Sequence, residues 1–273
     1  MPGIPFSKLS GSGNDFILID NRAGIVSSED LSRLARTLCR RKFSVGADGL
    51  IAIEDTETAD FRWQFFNADG SSAEMCGNGG RCAARFAVVK GIAGVRHSFE
   101  TLAGPIRAEV KDRRVKLEMV LPADLRLSVD IPLSSGTRRG ASVNTGVPHV
   151  VLSEENLEAV DVRALGREIR SHSLFSPAGT NANFVSRTGE SSLSVRTYER
   201  GVEDETMACG TGAVASALIG ACWWGLASPV QVRTTGGEIL RVHFSRQGER
   251  FEDVFLEGDT VWVYDAHCVD EVA

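Results

Sequence analysis

No run of apolar residues in this 273-residue chain reaches the length of a membrane span. The most apolar segment, Gly212 to Ala227, is too short and too rich in small residues, and reads as a buried helix. The first residues, Met1 to Lys8, lack the basic stretch and apolar core of a secretory signal, so none is expected. The six cysteines form no CxxC pair and no regular framework, which fits a reducing cytoplasm and not a disulfide scaffold. Clustered positive charge is also missing. With a net charge of −6, a pI near 5.5 and only the short runs Arg40-Arg41-Lys42 and Arg138-Arg139, no nucleic-acid partner is expected. Lysine is sparse: Lys8, Lys42, Lys90, Lys111 and Lys116 are all there are, none set as a Schiff-base residue. That argues against pyridoxal phosphate. The cysteines and histidines lack a metal-ligand spacing, and the glycines make neither a P-loop nor a complete dinucleotide-binding pattern after a strand. No cofactor, metal or membrane partner is therefore expected.

What the chain does have is an echo. Met75-Cys76-Gly77-Asn78-Gly79-Gly80-Arg81-Cys82 and Ala208-Cys209-Gly210-Thr211-Gly212-Ala213 both read Cys-Gly-x-Gly before small and apolar residues, 133 positions apart. Sliding the chain by that offset brings Gly13 onto Gly146, Gly46-Ala47-Asp48-Gly49 onto Gly179-Thr180-Asn181-Ala182, and Phe65-Phe66-Asn67 onto Tyr198-Glu199-Arg200. Thr101-Leu102-Ala103-Gly104 falls on Thr234-Thr235-Gly236-Gly237. No gap is needed from Gly13 to about Val110, and Val115-Lys116-Leu117-Glu118 then matches Val254-Phe255-Leu256-Glu257 after six inserted residues. The shared register predicts a duplicated architecture.

Local patterns agree. Apolar runs at 16–20, 50–53, 61–65, 98–102, 106–110 and 115–119 read as strands. Ser28-Glu29-Asp30 opens a helix with Leu31, Leu34, Ala35 and Leu38 on one face, and a small-residue helix follows Cys76 to about Lys90, stopped by Gly91. Pro122-Ala123-Asp124 and Ser134-Ser135-Gly136 mark the expected seam. The second half repeats the plan, with a helix near 161–170, the Cys209 helix, and strands at 150–152, 183–185, 194–198, 229–233, 239–244, 254–257 and 260–264. The expected fold class is α+β: two pseudo-symmetric halves, each a mostly antiparallel sheet wrapped around a central helix. The boundaries expected are 1–121 for the half carrying Cys76, 122–264 for the half carrying Cys209, and a tail, 265–273, free to return to the first half.

Glycines beside a cysteine at a helix start leave backbone N–H groups open, a ready site for a carboxylate. The same positive end lowers a thiol pKa from about 8.5 toward neutrality. If the halves face one another, a substrate α-carbon held by its carboxylate lies between two sulfurs. One thiolate removes the proton and the opposite thiol returns one to the other face, which is stereoinversion by two acid/base groups. The amides would stabilise charge building on the carboxylate. The plain alternative for either cysteine alone is a buried, inert thiol. Cys39, Cys82, Cys222 and Cys268 have no repeat partner and read as filler.

At the level of motifs the chain resembles the diaminopimelate epimerases. The likeness runs from Phe6-Ser7-Lys8 and Gly11-Ser12-Gly13-Asn14-Asp15-Phe16 through Gly46–Gly49, Phe66–Ser71 and the Cys76 motif, then Pro148-His149, Gly179–Val185, and Tyr198-Glu199-Arg200-Gly201 to the Cys209 motif. The resemblance implies a cofactor-independent enzyme interconverting LL- and meso-diaminopimelate, on the route to lysine and peptidoglycan, with its active site between two pseudo-symmetric halves. It implies Cys76 and Cys209 as the catalytic pair, His149 paired with the first and Glu199 with the second. Asn14, Asn67, Asn181 and Arg200 match substrate-holding residues, Arg200 taking the distal carboxylate, and the amides of Gly77, Asn78, Gly210 and Thr211 match the donors to the reacting carboxylate. Read by themselves, His149 could be a core histidine and Glu199-Arg200 a surface pair. Val147 stands where many members carry Asn before Pro-His, which removes an amide expected at the distal end. Gly49 stands where some carry Gln. The competing readings are another cofactor-free racemase, of histidine or proline type, a catalytically lapsed amino-acid-binding protein, and a thiol–disulfide protein. A small-molecule partner is expected, and a homodimer is one option for assembly.

Overall fold

The computed structural model describes residues 3–269. The remaining residues, which begin the segment read for a secretory signal and end the expected tail, lie outside the described residues. The chain divides into two compact units, Met1–Leu117 with Gly258–Ala273, and Glu118–Glu257.

The first unit runs β1 (Ile4–Gly11), β2 (Asn14–Asp20), α1 (Ser28–Leu38), β3 (Gly49–Glu54), β4 (Phe61–Asn67), α2 (Gly77–Val89), β5 (Arg96–Thr101), β6 (Gly104–Lys111) and β7 (Arg114–Glu118). Ser27 caps α1 by accepting the Asp30 N–H, and the four apolar residues read from the sequence are its buried face. Strand β3 is buried at all six positions because helices cover both of its sides. Leu50 and Ala52 pack with α1 residues, whereas Ile51 and Ile53 pack with Ala83, Ala84 and Phe86 of α2.

The second unit runs β8 (Ala123–Leu133), β9 (Gly136–Asn144), β10 (Pro148–Ser153), α3 (Val162–Arg170), β11 (Asn181–Gly189), β12 (Ser192–Glu199), β13 (Asp204–Thr206), α4 (Gly210–Trp224), β14 (Val230–Arg233), β15 (Ile239–Gln247) and β16 (Arg250–Asp259). Helix α4 is buried without a break from Gly212 to Ala221, as a helix apolar on every side must be, and ends at Gly225 in the left-handed conformation. The last strand, β17 (Val261–Cys268), pairs antiparallel with β1. Each unit mixes two parallel pairings, β2–β3 and β4–β5 or β10–β11 and β12–β14, with otherwise antiparallel ones.

The segment expected as a seam is strand. Leu125, Leu127, Val129, Ile131 and Leu133 alternate with outward residues through β8, and β9 follows after a two-residue turn. Strand β1 was also not anticipated from its Pro, Ser and Lys content, yet its middle is buried because Lys8 is paired with Asp15 at 2.8 Å.

The repeat holds with one correction. Phe16 pairs with Gly49 and His149 with Asn181, while Ile51 pairs with Phe65 and Asn183 with Thr197. Strands β3 and β11, and β4 and β12, therefore correspond at 132 positions, not 133. The register returns to 133 at the two helices and at Phe99 and Val232. In a strand a shift of one residue moves every side chain to the other face. Glu199 is accordingly the counterpart of Asn67, not of Phe66.

Candidate functional site

In the first unit Cys76 is the N-cap of α2, with extended backbone (φ −144°, ψ 117°), and its Sγ accepts the Gly79 N–H at 3.5 Å. Gly80 N–H closes the first helical bond on the Cys76 carbonyl at 2.8 Å, so the amides of Gly77 and Asn78 have no intrahelical acceptor. Two of the glycines are fixed by packing. A Cβ on Gly79 would lie 3.3 Å from the tip of Ile51, and one on Gly80 would lie 2.8 Å from the tip of Leu117, so a larger residue at either position would require these side chains to shift.

A relay of side chains braces that start. Asn14 Nδ2 donates to Asp48 at 2.9 Å, Asn78 Nδ2 donates to Asn14 Oδ1 at 2.8 Å, and Arg81 donates to Asn78 Oδ1 at 2.9 Å. Its direction is determined at both ends, because a carboxylate only accepts and a guanidinium only donates. Arg81, wholly buried, also donates to Ser12. Asp48 is held by Arg41 at 2.9 Å, and Arg41 reaches Asp15 as well. Burial works to raise the Asp15 carboxyl, and hydrogen bonds from Arg41 and Lys8 outweigh it and hold it low. Asn67 is not part of the relay: it is exposed at the end of β4 and donates to Ser71 at 3.0 Å.

In the second unit Cys209 is the N-cap of α4 (φ −117°, ψ 110°), with its Sγ 3.6 Å from the Thr211 hydroxyl. The Gly212 N–H favours the anion without closing a capping bond. Thr145 holds the loop by donating to the Thr211 carbonyl at 3.0 Å. Glu199, at the end of β12, accepts from the Thr206 hydroxyl at 2.9 Å and from the Cys209 thiol. Burial raises the Glu199 carboxyl. Burial, followed by the Glu199 charge, pushes the Cys209 thiol up to about 12. The sequence led to the opposite expectation for a cysteine at a helix start. Here desolvation and a neighbouring carboxylate outweigh the helix field.

His149 lies on β10, 1% exposed, and burial and then the Arg200 charge push its pKa down to about 3. Beside it on β11, Asn183 Nδ2 lies 3.1 Å from His149 Nδ1. Asn181 donates to the Pro148 carbonyl at 3.0 Å and accepts the Arg200 N–H at 2.8 Å, and the Arg200 guanidinium donates to the Ala178 carbonyl at 2.8 Å. The second unit thus gathers Cys209, Thr211, Glu199, His149, Asn181 and Arg200 around α4 and the ends of β10–β12, and the first gathers Cys76, Gly77, Asn78 and Asn14. Asp48, Arg81, Asn183 and Thr206 were not singled out from the sequence. The first three lie inside the quoted motifs, where a polar residue among small ones was the available signal.

Among the described residues no group of three or more His, Cys, Asp or Glu side chains could hold a metal ion, and no helix is long and apolar enough to cross a membrane. The family model "Diaminopimelate epimerase" matches residues 6–122 and 141–263. The chain is 47% identical to the diaminopimelate epimerase of Aquifex aeolicus, over 98% of each chain. It is 46% identical to that of Hydrogenobaculum sp., over 97% of this chain and 99% of the other. Among solved structures it resembles a phenazine biosynthesis protein of the PhzF family from Bacillus anthracis (TM-score 0.71, 17% identity, 98% and 100% covered). It also resembles a probable proline racemase from Agrobacterium radiobacter (TM-score 0.66, 15% identity, 98% and 93% covered), and both likenesses concern the fold alone. On the family match and these full-length identities, the chain belongs to the diaminopimelate epimerase family.

Proposed function

We propose that this chain interconverts LL- and meso-diaminopimelate without a cofactor, Cys76 and Cys209 working as an acid/base pair on opposite faces of the α-carbon. The observation that carries the reading is the duplicated cysteine N-cap: two buried helices in equivalent folds, each starting at a cysteine followed by open amides. The open amides of Gly77 and Asn78, and of Gly210 and Thr211, take the reacting carboxylate and stabilise it as the carbanion forms. A thiol kept protonated at neutral pH, as Cys209 is, is ready to donate. To serve as the base instead, Cys209 first gives its own thiol proton to Glu199, and the thiolate then takes the α-proton. His149 serves the Cys76 side. Asn14, Asn67, Asn181 and Arg200 hold the rest of the substrate, with Arg200 at the distal carboxylate. Six cysteines with no CxxC pair fit a cytoplasmic setting for this reaction.

Proton NMR of the reduced protein with LL-diaminopimelate in D2O tests the reading. Loss of the α-proton signal with appearance of the meso isomer is expected, and Cys76→Ala and Cys209→Ala should each abolish the epimerisation. Exchange of histidine or proline in place of diaminopimelate would keep the two thiols and discard the substrate. No exchange with any amino acid would discard the enzyme reading.

A further inference from the structure

We propose that Asn183 is a positioning residue that holds His149 as the neutral Nε2–H tautomer, so that this histidine serves the site as a hydrogen-bond donor and not as a proton acceptor. Asn183 is fully buried on β11, one strand from His149. Its Nδ2 lies 2.9 Å from the Val150 carbonyl and 3.1 Å from His149 Nδ1, and its Oδ1 lies 2.9 Å from the Thr197 hydroxyl. The amide cannot be turned over. A carbonyl oxygen only accepts, so a flipped Asn183 would set oxygen against oxygen at 2.9 Å. With Nδ2 committed as a double donor, His149 Nδ1 must accept, and the ring proton must sit on Nε2. Nε2 is buried and has no hydrogen-bond partner among the described residues. Buried donors left bare are rare, and on this proposal the missing acceptor arrives with the reaction. Burial, which disfavours the imidazolium, keeps the ring neutral. The consequence for catalysis rests on the proposed function: the Nε2–H stabilises a thiolate or the carbanionic substrate, and the ring takes no proton from the thiol or from the α-carbon. The tautomer does not depend on that reading.

The test is nitrogen NMR of the full chain labelled with 15N-histidine, His149 being identified among the five histidines by the signals lost in His149→Gln. A pyridine-type Nδ1 and a pyrrole-type Nε2, unchanged from about pH 5 to about pH 9, are expected. A pyrrole-type Nδ1, a tautomer mixture, or titration near the ordinary value of about 6.5 would overturn the proposal. Asn183→Asp offers only acceptors and should move the proton to Nδ1. With the tautomer inverted, kcat should fall about a hundredfold with KM within about twofold of wild type. Inversion with kcat unchanged would remove the donor role. If Asn183→Asp fails to fold, the wild-type spectrum still decides the tautomer. If the wild-type protein epimerises no diaminopimelate, the proposed function falls and the spectrum again stands by itself.

Discussion

His149 and Cys209 are both held neutral by burial, one as a base and one as an acid, and stability should report them at opposite ends of the pH scale. The folded pKa of His149 is lowered from 6.5 to about 3. Its contribution is therefore present above about 6.5 and lost as pH falls toward about 3, because only the unfolded chain takes up the proton. In His149→Gln the acid-side fall in stability should be shallower by about 1.4 kcal/mol per pH unit across that window, as read from urea melts. An unchanged slope would mean that His149 is not the buried neutral base. Cys209 is shifted the other way, from 9.0 to about 12, so its contribution is fully present below about 9 and lost as pH rises through about 12. The raised carboxyl of Glu199 has the same sign, its contribution lost as pH rises through the raised value. Since the Glu199 charge is the second cause of the Cys209 shift, Glu199→Gln should make Cys209 more acidic. Iodoacetamide should then label Cys209 faster at about pH 8 than in wild type, even as epimerisation falls. Labelling that is slower or equal, by mass spectrometry, would leave burial as the whole cause.

At the scale of elements, each central helix reaches its sheet only where glycine removes a side chain. Gly212 is the tightest case at the site. A Cβ there would lie 2.4 Å from Asn183 Oδ1 and 3.2 Å from Cys209 Sγ, and Asn183 is tethered to the Val150 carbonyl and Thr197. With no room to give, Gly212→Ala should cost about 2–3 kcal/mol in urea denaturation. Gly94→Ala, whose nearest neighbour would be 3.7 Å away, should be close to neutral. Equal midpoints for the two variants would refute the packing argument. These helices were legible in the sequence because a cysteine between glycines, followed by small residues, announces both an N-cap and close packing. The exposed helices were legible from their apolar period, as Leu31, Leu34, Ala35 and Leu38 show. Strand β8 was missed because Pro122, Pro132 and the Ser134-Ser135-Gly136 turn outweighed an alternation that was present throughout. The one-residue slip at β3 and β4 was invisible for a different reason. The glycines before the slip and the cysteines after it share the 133 offset, and only the strand pairings show which faces moved.

For the chain as a whole, duplication comes with an exchange of strands. In the first copy β7 is followed by β8, which pairs with β9 of the second unit, and in the second copy β16 is followed by β17, which pairs with β1 of the first. Pattern reading finds such strands but not their partners, because apolar alternation records that a face is buried and not against what. The exchange makes β17 part of the first unit's fold. It pairs with β1 from Ile4↔Cys268 to Ser10↔Val261, Trp262 stacks on Phe86 of α2 at 5.9 Å, and Cys268 is buried with Phe6 and the α1 face. Truncation before Val261 would turn β1, still paired with β2, into an edge strand and uncover the side of α2 that follows Cys76. Hydrogen exchange should then show β1, β2 and α2 losing protection while β10, β11 and α4 keep theirs, since no strand of the second unit is removed. Loss of protection spread evenly over both units would mean that they fold as one cooperative body. Loss in neither would mean that β17 adds no stability to the unit it completes.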